Sequence, residues 1–270
     1  MPIVVMIVSA VSIIGLVKYG LVPGIDRVSL AMGWSAKARG KATGYATSVP
    51  ELVTLVAAGL SGVWMAGLWN IVSSNLLNAG LAASAMALYR RGRELFHRRF
   101  AREICFAMVG ILAPLVLMNL GMDTHWAVVP LLPCTFAAYI LLDRSGGEIE
   151  EETESSVDHG SPLAGVLMCV ASLGLIATAG VFLGESTREV VVSMGISPML
   201  TGWILGFVTS LPEAVTFFEA YSAKRVRSDS DPMAGTQELL DNLAASNMSN
   251  SGLIYPLGLG LYLLVTGMGA

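Results

Sequence analysis

The sequence predicts an all-α membrane protein of about eight transmembrane helices, folded as two inverted halves with broken helices at the bilayer midplane. Three observations carry this expectation. Of 270 residues, 54% are hydrophobic and 13% charged, with a mean hydropathy of +0.67, which leaves too little polar surface to coat a soluble globule. The chain offers eight apolar stretches near the roughly 20 residues that cross hydrocarbon. A short proline-containing element also occurs twice, in opposite orientations.

The expected spans are 2–22, 36–60, 62–89, 102–121, 125–143, 161–184, 196–222 and 236–267. Met1 and Pro2 lead straight into apolar sequence, with no basic region before it and no small-residue cleavage site. That reads as a retained first span, not a signal peptide. The connections after spans one, three, five and seven collect Lys18, Arg27, Lys37, Arg39 and Lys41, then Arg90, Arg91, Arg93, Arg98, Arg99 and Arg102, then Arg144, then Lys224, Arg225 and Arg227. Of the 16 basic residues only Arg188 falls on the other side. Positive-inside bias therefore puts these connections in the cytoplasm and both termini outside, with the plasma (inner) membrane as the expected location. A span count wrong by one would scramble the asymmetry, so it supports eight.

A linker, 144–160, separates a first half, 1–143, from a second, 161–270. Its acids, Glu148, Glu150, Glu151, Glu152, Glu154 and Asp158, stand among Gly and Ser and read as a solvated cytoplasmic tether. They lack the alternating ligands and glycine turn of a calcium loop. Cys105, Cys134 and Cys169 lie far apart in apolar sequence without metal or redox spacing, and are expected to be buried thiols. No nucleophile–base pairing, phosphate loop or cofactor motif is present, so neither an enzyme nor a cofactor is expected. The charge distribution offers no nucleic-acid surface.

The duplicated element is Gly44-Tyr45-Ala46-Thr47-Ser48-Val49-Pro50-Glu51 and, 162 positions later, Gly206-Phe207-Val208-Thr209-Ser210-Leu211-Pro212-Glu213. Each proline lacks an N–H and clashes with the preceding turn, releasing backbone carbonyls that hydrocarbon cannot satisfy. A cation can satisfy them. Thr47, Ser48, Thr209 and Ser210 add oxygens beside the break, and Glu51 and Glu213 add formal charge where it is costly to bury. All are hard donors, suited to sodium, calcium or magnesium. The first copy lies in span two and the second in span seven, an odd number of spans apart, so the repeats are inverted. Secondary transporters place substrate and coupling ions between such repeats.

Each element is followed by a polar constellation in the next span, Asn70-x3-Ser74-Asn75-x2-Asn78 and Asn242-x3-Ser246-Asn247-x2-Asn250. Ser74 and Asn78, like Ser246 and Asn250, are four residues apart and share a helix face. Glu51 precedes Asn78 by 27 residues and Glu213 precedes Asn250 by 37, an excess assigned to the polar connection Ser222 to Pro232. Asp241, beside the second constellation, is a further candidate ligand or proton site. Glu219 reads as solvated near the boundary, and Trp64, Trp69, Trp126 and Trp203 as interfacial anchors or core.

These doubled motifs resemble the cation/calcium exchanger superfamily, in its sodium/calcium exchanger branch. That family carries two alpha repeats of the form G-x-x-T-S-x-P-E followed by G-N-x-x-G-S-N-x-x-N, here at about 44–80 and 206–252. The resemblance implies an exchanger fold with four central ion sites. Glu51 and Glu213 would grip calcium, helped by the carbonyls of Thr47 and Thr209 and completed by Asn78 and Asn250. Ser48, Ser74, Ser210 and Ser246, with the carbonyls of Gly44 and Gly206, would serve flanking sodium. Two departures stand out. The family usually has five spans in each half, whereas three follow this linker, so a homodimer or partner chain is expected to cover the exposed flank. Asn250 stands where Asp is frequent, which leaves sodium and protons both open as the counter-ion. Ser73 and Ala245 replace the usual Gly before the motif Ser.

The expected function is secondary antiport of sodium for calcium by alternating access, with spans one and six sliding on Gly15, Gly20, Gly165, Gly174 and Gly180, or merely packing there. The alternatives are a proton-coupled divalent exchanger and a non-transporting cation-binding membrane subunit.

Overall fold

The computed structural model describes residues 2–60, 63–144, 162–222 and 231–267, and every regular element among them is helical. The acidic linker and Lys224, Arg225 and Arg227 lie outside the described residues. The first half contains α1 (Pro2–Leu16), a π turn (Val17–Leu21), α2 (Val22–Met32), α3 (Ala36–Thr47), α4 (Val49–Leu60), α5 (Trp64–Leu88), α6 (Ala101–Asn119) and α7 (Val128–Arg144). The second contains α8 (Pro162–Met194), α9 (Pro198–Thr209), α10 (Leu211–Glu219), α11 (Ala234–Ser249), a second π turn (Asn250–Ile254) and α12 (Tyr255–Gly267). Six stretches are long and apolar enough to cross a membrane, and Val128–Asp143 is a shorter apolar helix. The broken pair α3 and α4, only 12 residues each, supplies the eighth crossing of an integral multi-pass protein.

Both expected breaks are present, and they fall at equivalent residues. Ser48 leaves helical geometry at φ −79°, ψ 2°, and Ser210 at φ −81°, ψ 0°, each two residues before its proline. Proline is tolerated there because it opens the second half-helix, where its missing N–H has no intrahelical partner to lose.

The outer spans are longer than expected. Span one continues past residue 22 to Met32, and span six past 184 to Met194. Pro23 does not end the first helix, because the preceding π turn widens the backbone ahead of its ring, and Pro256 follows the second π turn in the same way. Lys18 and Arg27 consequently sit in a helix instead of a connection. Thirty-one residues make about 45 Å of helix against a hydrocarbon core of about 30 Å, so this span must tilt or project beyond it.

The duplication reaches beyond the motif. Gly33 and Gly195, both left-handed at φ 63° and 65°, end α2 and α8. Ser35 and Ser197 then cap α3 and α9, accepting from the N–H of Ala38 and Leu200 at 3.2 and 3.3 Å. The same 162-residue offset therefore holds from the pair Gly33 and Gly195 to the pair Thr54 and Thr216.

Packing exchanges the halves. The heaviest contacts join α3 to α11 and α5 to α9, so each broken helix lies on the polar helix of the other repeat. Glycine permits this approach. A Cβ on Gly40 or Gly44 would strike the backbone of Glu238 or Asn242, and one on Gly202 would stand 2.8 Å from the carbonyl of Ala66 and the amide of Asn70. Apolar clusters close both ends of the centre, around Phe100, Phe217 and Leu239 at the linker end and around Leu68, Trp64 and Tyr255 at the other. A third, with Ile13, Leu21, Ile176 and Leu183, joins α1 and α2 to α8. There Gly24 and Gly165 bring the backbones together and Gly20 admits Ser172, whereas Gly15 and Gly174 meet nothing within 4 Å.

Cys105 and Cys134 are exposed and Cys169 is half-buried against Gly24, which corrects the expectation of three buried thiols. The reason is the solvent: hydropathy cannot separate a side chain facing the core from one facing lipid.

Gly202→Ala should force α5 and α9 apart and lower stability by about 1–3 kcal/mol. Gly80→Ala, on an open face, should leave stability unchanged or slightly raised. Thermal unfolding of the two variants in detergent measures the contrast.

Candidate functional site

The two prolines set the geometry of the centre. Each break points the C-terminus of one half-helix and the N-terminus of the next at the same place. The first presents carbonyls, which favour a cation, and the second presents N–H groups, which steady a carboxylate in its first turn. Glu51 and Glu213 occupy that first turn in α4 and α10 and are fully buried. They lie within range of each other's charge.

The structure brings all twelve residues singled out above into this region, and all are buried. Ser246 Oγ donates to Glu213 Oε1 at 3.1 Å and lies 3.1 Å from Ser48 Oγ, which in turn donates to the Gly44 carbonyl at 2.9 Å. Across the centre, Thr209 Oγ1 donates to Asn70 Oδ1 at 3.2 Å and Ser210 Oγ to the Ser74 carbonyl at 3.5 Å. Thr47 Oγ1 donates back to Thr43 O at 3.1 Å, and Ser74 Oγ to Ile71 O at 3.1 Å. Gly206 accepts the Ser210 N–H at 3.0 Å and presses against the Ser74 amide.

The asparagines are divided by role. Asn250 Nδ2 donates to Asn75 Oδ1 at 2.9 Å, and Asn78 Nδ2 to Asn247 Oδ1 at 3.5 Å and Ser246 Oγ at 3.3 Å. Asn75 Nδ2 is held by Gly110 O and Ser251 Oγ, both at 3.0 Å, while Asn247 Nδ2 reaches the carbonyls of Asn75 and Ala107. Asn75 and Asn247 are thus cross-ties between repeats, and they fix how the amides of Asn78 and Asn250 face.

What remains is a set of oxygens without protein donors. Both Glu51 carboxylate oxygens, Glu213 Oε2, Asn78 Oδ1 and Asn250 Oδ1 are buried and unpartnered. A buried polar oxygen left this way costs about 1–3 kcal/mol, and more when charged. These oxygens stand on α4, α10, α5 and the second π turn, and Asn242 Oδ1 of α11 is unpartnered as well.

Several residues that build the site escape a reading of the motif alone. Thr54 and Thr216, three residues after each glutamate, anchor Asn70 and Asn242 at 2.7 and 2.8 Å. Gly40 and Gly202, four residues before each motif glycine, set the helix approach. Their signal was the same 162-residue offset, continued outward in both directions. Ser73, in the place of a family glycine, is accommodated because the glycines sit on the opposing helix. Its hydroxyl donates to Gly202 O at 3.1 Å.

Asp241 does not join the centre. It is five residues nearer the linker end than Ser246 and gathers with Glu103 of α6 and Asp143 of α7. Gln237 donates to Asp241, Lys37 and Lys41 bind Asp143, and Arg39 pairs with Glu238 at 2.7 Å. The basic start of α3 therefore ties that helix to α7 and α11.

A multi-pass membrane protein of inverted repeats, with paired broken helices around a buried oxygen-lined centre, is the class that fold and site define. Within that class the chain belongs to the sodium/calcium exchanger protein family, whose model matches residues 2–142 and 164–267. Among solved structures it is similar to the sodium-calcium exchanger NCX_Mj. Soaked with 10 mM Na+ and zero Ca2+, that protein aligns at 18% identity over 98% of this chain and 92% of that one, with a TM-score of 0.62. Soaked with 100 mM Na+ and 10 mM Sr2+, it aligns at 19% identity over 97% and 83%, with a TM-score of 0.60. At these identities the likeness establishes the fold. No curated protein matches.

Asn75→Ala strands the Asn250 amide, while the Gly110 carbonyl keeps the Ser251 hydroxyl, and should cost about 1–3 kcal/mol for the buried group left unpaired. Chemical or thermal unfolding of the variant, beside the wild type, reads the loss.

Proposed function

We propose that this protein is a secondary antiporter that exchanges sodium for calcium by alternating access around the central site. The observation that carries the reading is the convergence of unpartnered oxygens from Glu51, Glu213, Asn78 and Asn250 in a fully buried centre. Calcium sits between the two carboxylates, which neutralise it, and takes the asparagine oxygens with the carbonyls of Thr47 and Thr209 to fill a shell of six to eight. Sodium uses the flanking oxygens of Ser48, Ser74, Ser210 and Ser246 with the carbonyls of Gly44 and Gly206. The two ions compete for one set of groups. Two buried carboxylates without a cation are unfavourable in low dielectric, which discourages movement of an unloaded site and so enforces exchange.

The membrane orientation follows from the basic residues. Lys37, Arg39, Lys41, Arg91 and Arg99 all stand at the linker end, so that end is cytoplasmic, both termini are outside, and the plasma membrane is the place of action. The outer pair, α1 with α2 against α8, is the sliding element. Of the six long apolar stretches among the described residues these two are the least buried, with Val11 63% and Val170 62% exposed.

A second reading couples calcium to protons. It is favoured by the absence of any third carboxylate among the described central residues, since each glutamate can take one proton in place of one sodium.

Calcium-45 uptake into proteoliposomes, with sodium and pH gradients imposed separately, tests the proposal. Sodium-driven uptake is expected, and Glu51→Gln or Glu213→Gln should cut it by roughly a hundredfold, the cost of removing one partner from a buried charge pair. Uptake driven by pH alone selects the proton reading. Calcium binding without flux under either gradient selects a non-transporting subunit.

A further inference from the structure

We propose that Glu103, Asp143 and Asp241 form a second cation site, for one calcium ion, at the linker end of the helices and separate from the centre between the broken helices. The site lies outside the antiport reading and does not depend on it.

The three acids come from three helices, α6, α7 and α11, and are only 4%, 9% and 1% exposed. One carboxylate oxygen of each lies within 4.8 Å of the other two. Oxygens that close fit one calcium shell, whose ligands stand about 2.3–2.6 Å from the ion. Calcium accepts an irregular shell, whereas magnesium demands an octahedron and keeps several of its waters. Carboxylates brought together from three separate helices suit calcium.

Besides the clustering, Glu103 itself points to a ligand. Its Oε2 is buried and has no hydrogen-bond partner. Neither Glu103 nor Asp241 has an ion pair among the described residues, because Lys37 and Lys41 both bind Asp143 and Arg39 pairs with Glu238. The basic side chains just before Glu103 are engaged elsewhere, Arg99 with Gln237 and Asp231 and Arg102 with the Leu142 carbonyl. Asp241 accepts the side-chain amide of Gln237. Two buried acids held together without a counter-charge repel each other and are costly to keep ionised. One divalent cation matches their two charges, and Asp143 supplies a third ligand.

Symmetry separates this site from the centre. Each of the twelve central residues has a matching residue in the other repeat, but the charged residues of the linker end do not. Lys37, Arg39 and Lys41 correspond to Met199, Thr201 and Trp203, and Gln237, Glu238 and Asp241 to Met65, Ala66 and Trp69. The charged network is therefore an addition to one end of a duplicated plan. Asp241 also stands about 7.5 Å of helix rise from Ser246. Lys37, at 3.0 Å, and Lys41 hold the Asp143 carboxylate, so calcium competes with both ammonium groups, and its binding loosens the start of α3 from α7.

Calcium-45 binding to the purified full chain in the Glu51→Gln/Glu213→Gln background isolates this site from the centre. About one calcium per chain is expected to remain, in the range that three carboxylates can hold. Asp241→Asn or Glu103→Gln should weaken it by roughly a hundredfold, as for any buried charge deprived of one partner. Lys41→Gln should tighten it severalfold. No calcium bound in that background, or binding indifferent to Asp241→Asn and Glu103→Gln, overturns the proposal, and weaker binding in Lys41→Gln overturns the competition for Asp143. Should the background not fold, the unsubstituted chain decides: two calcium ions per chain are expected, one lost in Asp241→Asn and the other in Glu51→Gln. A single ion indifferent to Asp241→Asn overturns the proposal. A single ion lost in Asp241→Asn and untouched by Glu51→Gln sinks the central reading and leaves this site standing.

Discussion

The structure depends on one close contact made twice: the backbone of a broken helix lying directly on the polar helix of the opposite repeat. Gly40 and Gly44 allow α3 to reach α11, and Gly202 and Gly206 allow α9 to reach α5. In lipid no hydrophobic drive holds helices together, so close packing and interhelical hydrogen bonds do that work. Side chains at those four positions would push the helices apart, and with them the hydroxyls, amides and carboxylates they carry. The site is therefore a product of the interface between halves, and neither half contains it alone.

That contact explains why so much polarity can be buried here. Each broken helix brings unsatisfied main chain and an acid into the membrane, and both are costly unless matched. The matching is reciprocal. Thr54 and Thr216 hold Asn70 and Asn242 within each repeat, while Asn75 and Asn247 tie the repeats to each other. Once these bonds are counted, the carboxylates of Glu51 and Glu213 and the amide oxygens of Asn78 and Asn250 still have buried oxygens without donors.

The two halves are not identical, and the differences are local. Asn78 sits in the regular α5, whereas Asn250 opens a π turn whose Tyr255 N–H returns to the Asn250 carbonyl. Ser246 reaches Glu213, while Ser74 bonds back into its own helix. The repeats therefore differ in conformation at these places, although their motifs match residue for residue.

The interrupted helices and the inverted order were legible in the sequence, and the twelve candidate residues are all buried around the breaks, because proline chemistry and a fixed repeat offset act over a few residues and need no knowledge of packing. The outer spans were misjudged, since whether Pro23 ends a helix depends on a π turn that local pattern does not announce. The exposure of Cys105 and Cys134 was equally hidden, because apolar residues facing lipid and apolar residues facing the core look alike. Asp241 shows the limit most clearly: it adjoins the second constellation in sequence, yet its helix turns it toward Glu103 and Asp143, away from the centre. The sequence by itself determined the membrane setting, the breaks and the kinds of oxygen available. Only the tertiary structure decided which oxygens stay unpartnered and which are spent as ties, because that division is made by contacts between helices more than a hundred residues apart.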